Sequence, residues 1–173
     1  MFEVKMPFIE GEVVIHPSHG PMRVTHIGDR LVRGVTTKYI NLEAVVMQLR
    51  LSVPESRASD SGLRAIASRD RIDELLSILA APSIKSTMGW SRRIKDYQER
   101  LRSGNVEALC FVIREIKRHG NSAPSSAEGQ MLRRAMSTLS IEFSLALQVD
   151  EDEAKAIIEE TVSAVGGELQ LSA

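Results

Sequence analysis

The chain has 173 residues, 43% hydrophobic, 26% charged and 4% aromatic, with a formal net charge of −1. That composition excludes default disorder and leaves a core built mainly of Leu, Ile, Val, Ala and Met, in one medium domain or two small ones. Cys110 is the single cysteine, which excludes an internal disulfide and points to a reducing cytoplasm; no apolar run approaches the ~20 residues of a membrane span. The opening MFEVKMPFIEGEV has acidic residues and no long apolar core, so it does not read as a signal peptide.

The first ~55 residues carry short β-rich runs separated by turn residues. Glu12–His16 (EVVIH) runs into the turn signal Pro17-Ser18-His19-Gly20. Met22–Ile27 alternates apolar and polar residues before meeting Gly28-Asp29, and Val35–Leu42 follows Gly34. Ala44–Val53 (AVVMQLRLSV) shows period-two alternation through Met47, Leu49, Leu51 and Val53, and Pro54 closes it. Four or five short strands with tight turns predict a small SH3-like or Tudor-like barrel. The polar stretch Glu55–Gly62 (ESRASDSG) then reads as a linker, dividing the chain into domains 1–58 and 59–173.

Beyond the linker the period becomes helical. Arg69–Leu79 puts Ile72, Leu75, Leu76 and Leu79 on one face and stops before Pro82, and Ser83–Gly89 reads as a loop. Trp90–Arg102 predicts a basic helix with Ile94, Tyr97 and Leu101 as its apolar stripe and Gly104 just past its end. Asn105 can cap a helix Val106–Arg118, buried at Val106, Leu109, Val112, Ile113 and Ile116. Gly120–Pro124 breaks the chain, and Ser125 with Glu128 forms a capping box for a helix to about Leu147. Asp150 with Glu153 repeats the device for a last helix ending at Gly166-Gly167. The predicted fold class is α+β: a small N-terminal barrel followed by a compact C-terminal bundle of about five helices.

Charge is unevenly spread. Residues 67–118 carry 11 Lys/Arg against 7 Asp/Glu, whereas residues 119–173 carry 3 against 9. Residues 85–102 alone hold 6 against 2, and within them STMGWSRRIK contains the only tryptophan, Trp90, followed by Arg92, Arg93 and Lys95. One large flat ring beside cations at a helix start suits stacking on bases while flanking phosphates are neutralised. The same spacing to Ile94 and Tyr97 could bury Trp90 in the core. Arg92–Asp96 and Lys95–Glu99 could be ordinary i,i+4 pairs; only Arg93 lacks an acid four residues on. So few cations on a near-neutral chain imply weak, sequence-independent DNA affinity, so another contact must deliver the protein to DNA.

His16, His19 and His26 raise a metal-dependent enzyme as a rival reading, but no carboxylate or cysteine joins them at ligand spacing, and no metal or cofactor is expected. Cys110 falls on a helix face between Val106 and Ile113, as an inert residue would. No nucleophile elbow, Walker loop or dinucleotide fingerprint occurs, so an enzyme is not expected.

Residues 8–24, FIEGEVVIHPSHGPMRV, resemble the opening of the CarD/CdnL family of bacterial transcription regulators through Phe8, Gly11, Glu12, Val13, Val14, Pro17, His19 and Gly20; His16 stands where a tyrosine is usual. The resemblance continues at Tyr39, Leu42, Val53-Pro54 and Gly62-Leu63-Arg64. It is strongest at Trp90-Ser91-Arg92-Arg93 and Ser103-Gly104, and persists at Met131-Leu132. It implies a Tudor-like domain that docks on the RNA polymerase β subunit, and a helical domain at the upstream edge of the transcription bubble. There a helix-borne tryptophan enters the minor groove and hinders closing. The resemblance carries the tryptophan's role onto Trp90; with the cations beside it, Arg92, Arg93 and Lys95, it makes up the expected DNA contacts. The family's contact position at Ser52, with the strand-domain cations Arg30 and Arg50, makes up the expected polymerase contacts.

Ser52 stands where the family often has an arginine before Val-Pro, with Arg50 two residues earlier on the same strand face. Gly129 and Gln130 stand where a lysine often adds a DNA contact, and the nearest cations are Arg133 and Arg134. The transcription-repair coupling factor shares the β domain, but this chain has no Walker motif. The expectation is a cytoplasmic, monomeric, non-catalytic regulator that stabilises the open promoter complex. The alternative is a protein–protein adaptor that never touches DNA.

Overall fold

The computed structural model describes residues 8–84, 87–119 and 123–168, and side chains as far as Ala164 in the last helix. The chain divides into two compact units, the first ending at Ile66 and the second beginning at Ala67.

In the first unit β1 (Val13–His16), β2 (Gly20–Val32), β3 (Val35–Ala44), β4 (Arg50–Pro54) and β5 (Arg64–Ala65) form one antiparallel sheet in the order β4-β3-β2-β1-β5. Alternation decides which face is inward. Met22 and Val24 of β2, Ile40 and Leu42 of β3, and Val53 of β4 bury together with Val14, Ala58 and Leu63. Each such aliphatic contributes about 1.5–3 kcal/mol by leaving water. The register sets Val24 opposite Leu42 and Ile40 opposite Val53, so inward residues are stacked across strands.

Three sequence expectations change here. Gly28-Asp29 does not end β2: the strand bulges between Val24 and His26 and continues to Val32, turning at Arg33 and Gly34, both at positive φ. The alternation fades there because much of the distal hairpin is exposed, so nothing selects apolar residues on one side. A Cβ at Gly28 would sit 2.6 Å from Nε2 of the exposed His26 side chain, which would have to shift. Second, Ala44–Val53 is not one strand. Val45–Gln48 bend, with Val45, Val46 and Met47 exposed, because the chain must reverse between antiparallel neighbours; pairing resumes at Arg50. Third, the stretch read as a linker folds onto the sheet: Glu55–Arg57 is a 3₁₀ turn, and Ala58 and Leu63 join the sheet's core.

The second unit starts with a 3₁₀ turn at Arg69–Arg71. It continues as α1 (Ile72–Ala80), α2 (Trp90–Arg102), α3 (Val106–Arg118), α4 (Ser126–Leu147) and α5 (Glu151–Glu168). The expected loop at Ser83–Gly89 contains Lys85 and Ser86, and the expected break contains Gly120–Ser122; these five residues lie outside the described set. The last helix runs through Gly166-Gly167 to Glu168, the residue or two by which helix ends vary. Its core comprises Ile72, Leu75 and Leu79 of α1, Leu109, Cys110 and Ile113 of α3, Leu139 and Phe143 of α4, and Ala154, Ile158 and Val162 of α5. A smaller cluster of Tyr97, Val112 and Ile116, with Leu101, Phe111, Met131 and Leu132 against it, seats α2.

Polar groups finish the unit. The Glu142 carboxylate, fully buried, accepts the Ala67 amide at 2.7 Å. Arg118, the last residue of α3, donates to the Leu79 carbonyl (3.0 Å), to those of Ala80 and Ala81 at the end of α1, and to that of Val162 (2.9 Å). Those carbonyls at the end of α1 would otherwise be left without helical partners.

Candidate nucleic-acid interface

The helix α2 begins on Gly89, whose extended backbone caps it without a side-chain hydrogen bond, and no acid lies in its first turn. Asn105 and Ser125, by contrast, cap α3 and α4 with their side chains, the latter in a complete capping box with Glu128. With no side-chain cap from Gly89, the first amides of α2 keep the favourable field for an anion that a helix start provides. Trp90 is the first helical residue and is 50% exposed. It is not part of the apolar cluster that holds α2, which the helix reaches through Tyr97 and Leu101.

The cations that follow separate by face. Arg92 and Lys95 are exposed, and neither has an ion-pair partner among the described residues. The anticipated Arg92–Asp96 pair does not form: Asp96 accepts from Arg100 Nε at 2.9 Å, with the acid N-terminal to the base, the better order on a helix. Arg93 turns inward. Its Nη2 lies 3.4 Å from Glu128 Oε1, and the two side chains are only 12% and 8% exposed. Arg93, with no acid four residues on, thus finds its partner on α4.

Glu128 is held below the ordinary carboxylate value. Burial pushes the other way, but the Ser125 hydroxyl and amide, with Arg93 beside them, outweigh it. Burial foremost, with Glu115 next, raises the Tyr97 phenol. Further along, Arg100 lies 4.1 Å over the Phe111 ring. On α4, Arg133 and Arg134 are exposed, and Arg133 Nη1 comes within 3.5 Å of where a Gly129 side chain would begin.

On the first unit the structure brings Arg30, Arg50 and Ser52 onto the outward face of the sheet. Arg50 stands opposite Glu43 and pairs with it at 3.1 Å; Ser52 stands opposite Asn41 and donates its hydroxyl to Oδ1 at 2.6 Å. Arg30 lies 5.0 Å over the Tyr39 ring. Tyr39, Asn41 and Glu43 also lie on this face and were not among the expected polymerase contacts, because cross-strand register is not written in a single strand. Among the histidines, His16 and His19 stack at 4.7 Å, while His26 Nδ1 turns to Glu10 at 2.8 Å, so the three do not converge. Cys110 is buried in the helical core.

Two family models match this chain in order. Residues 8–67 fit the CarD-like/TRCF RID domain, and residues 74–159 fit the CarD C-terminal domain. The chain belongs to the CarD/CdnL family. Its first unit is therefore the RNA polymerase-interacting domain of a CarD-family protein, and the chain is an RNA polymerase-binding transcription regulator. The CarD family is not an enzymatic one. Among the described residues, no helix of this CarD-family chain is long and apolar enough to cross a membrane.

Proposed function

We propose that this chain docks on the polymerase β subunit through the sheet face bearing Arg30, Arg50 and Ser52. Once docked, it stabilises the open promoter complex by placing Trp90 in the minor groove at the upstream edge of the bubble. Docking lies within residues 1–58 and DNA contact within 59–173, and the protein works in the cytoplasm as a monomer. The observation that carries this reading is the half-exposed Trp90 on the first turn of a helix whose N-cap, Gly89, makes no side-chain hydrogen bond, beside Arg92 and Lys95, which have no ion-pair partner among the described residues. An indole there can stack on a base at an unwound step without reading sequence. Such stacking is worth about 1–3 kcal/mol, or about 5- to 150-fold in the open/closed equilibrium.

Arg92 and Lys95 neutralise flanking phosphates; Arg93 faces Glu128 and is left out of that set. Affinity from so few cations is small. Docking supplies the remainder, because a tethered contact acts at an effective concentration of the order of millimolar. The test is the lifetime of polymerase–promoter open complexes after competitor is added, with the full-length chain and with Trp90→Ala. A lifetime shortened towards that without the protein is expected. An unchanged lifetime would favour an adaptor that makes no DNA contact.

A further inference from the structure

We propose that Arg93 is a positioning residue, whose ion pair with Glu128 fixes the first turn of α2 against the first turn of α4 and so sets how Trp90 is presented. This rests on the wedge role proposed for Trp90. Arg93 lies three residues after Trp90, the spacing of helix neighbours. Its guanidinium is nearly buried, reaches Glu128 Oε1, and leaves Nε without a hydrogen-bond partner among the described residues. A cation meant for phosphate gains nothing from such burial, which costs hydration before any DNA arrives.

Glu128 is well placed to act as the anchor. Its second oxygen, Oε2, accepts from the Ser125 hydroxyl at 2.7 Å and the Ser125 amide at 2.9 Å, closing the capping box of α4. The carboxylate is therefore immobile relative to α4, and Arg93 inherits that rigidity. Ile94 and Tyr97 hold the middle of α2 by apolar burial. Arg93 is the charged link nearer the Trp90 end. Directional bonds there determine the rotation of the helix start, which apolar packing alone leaves loose.

Trp90 is the only tryptophan, so intrinsic fluorescence reads this one site. The full-length chain and its Arg92→Ala, Arg93→Ala, Arg93→Lys, Glu128→Gln and Trp90→Ala variants are compared. Each is measured for melting temperature, for lifetime of the polymerase–promoter complex, and for binding to a short forked duplex across a salt series. Acrylamide quenching of Trp90 is followed in all but the last. Arg92→Ala should lower the slope of log affinity against log salt by about one and leave quenching alone. Arg93→Ala should leave the slope unchanged, raise quenching, and shorten the complex lifetime by up to the factor seen for Trp90→Ala. Arg93→Lys should recover part of both effects.

Arg93→Ala that lowers the slope by about one with unchanged quenching would make Arg93 a phosphate contact and overturn the proposal. Quenching and slope both unchanged would overturn it as well. Should Arg93→Ala fail to fold, Glu128→Gln carries the test, because it keeps the shape of the side chain while removing the charge. A Trp90→Ala lifetime equal to the parent's would sink the wedge reading alone, since quenching reports the presentation of Trp90 independently.

Discussion

At the scale of single residues, Trp90 and Glu128 make opposite predictions about stability. A Trp buried in a core would cost about 3–5 kcal/mol on truncation to Ala. Trp90 is half exposed and outside the apolar clusters, so Trp90→Ala should lower stability by less than about 1 kcal/mol while shortening open-complex lifetimes. A thermal melt beside the lifetime assay separates the two. Glu128 is nearly buried and its carboxyl is held below the ordinary value, so folding favours its charged form. The stability it contributes is full above the ordinary carboxylate range and is lost as pH falls through the lowered value. Denaturant midpoints measured from neutral to acid pH should therefore fall more steeply for the parent than for Glu128→Gln. Neither assignment was fully legible in the sequence. Helical spacing let Trp90 face either way, and the acid that claims Arg93 is 35 residues away on another helix.

Among the elements, helices were more legible than strands, for a physical reason. Asn105, Ser125 with Glu128, and Gly104 terminate helices through local hydrogen bonds or a positive φ, and local chemistry can be read locally. Strand alternation persists only where one face is buried. It therefore described Leu49–Val53 well and failed at Val45–Gln48 and beyond Gly28. The β2–β3 turn shows what was missed. Arg33 and Gly34 have φ of 52° and 79°, a left-handed pair suited to a two-residue hairpin, yet Arg33 is a poor resident of that region. Arg33→Asn should stabilise the protein by a few tenths of a kcal/mol, and Gly34→Val should destabilise it by about 1–2 kcal/mol. Both are readable in denaturant midpoints.

Across the whole molecule, the proposed mechanism uses two modest contacts in place of one strong one. The net charge of −1 and the short basic segment predict that the isolated full-length protein binds duplex weakly, in a salt-sensitive way and without sequence preference. Titration of unrelated duplexes at two salt concentrations checks this; a tight, selective footprint without polymerase would defeat the tethered mechanism. In that proposed mechanism, delivery depends on the sheet face. Arg30→Glu reverses a charge and removes the cation stacked on Tyr39, so co-purification with polymerase should weaken while the melting temperature holds. The family assignment was readable in scattered motifs because these occupy turns, helix starts and strand ends, whereas the composition of that face depended on register.

Arg118 carries a consequence for motion. A helix of nine residues such as α1 is too short to persist on its own, and its last carbonyls would be the first to fray. By gathering the end of α1 and a carbonyl of α5 onto one guanidinium at the end of α3, the fold ties the opening of this nine-residue helix to the release of two others. The amides of α1 should then exchange with solvent only when the helical unit opens as a whole, which makes their hydrogen exchange a gauge of cooperativity. In Arg118→Ala the same amides should exchange ahead of those in α3 and α4.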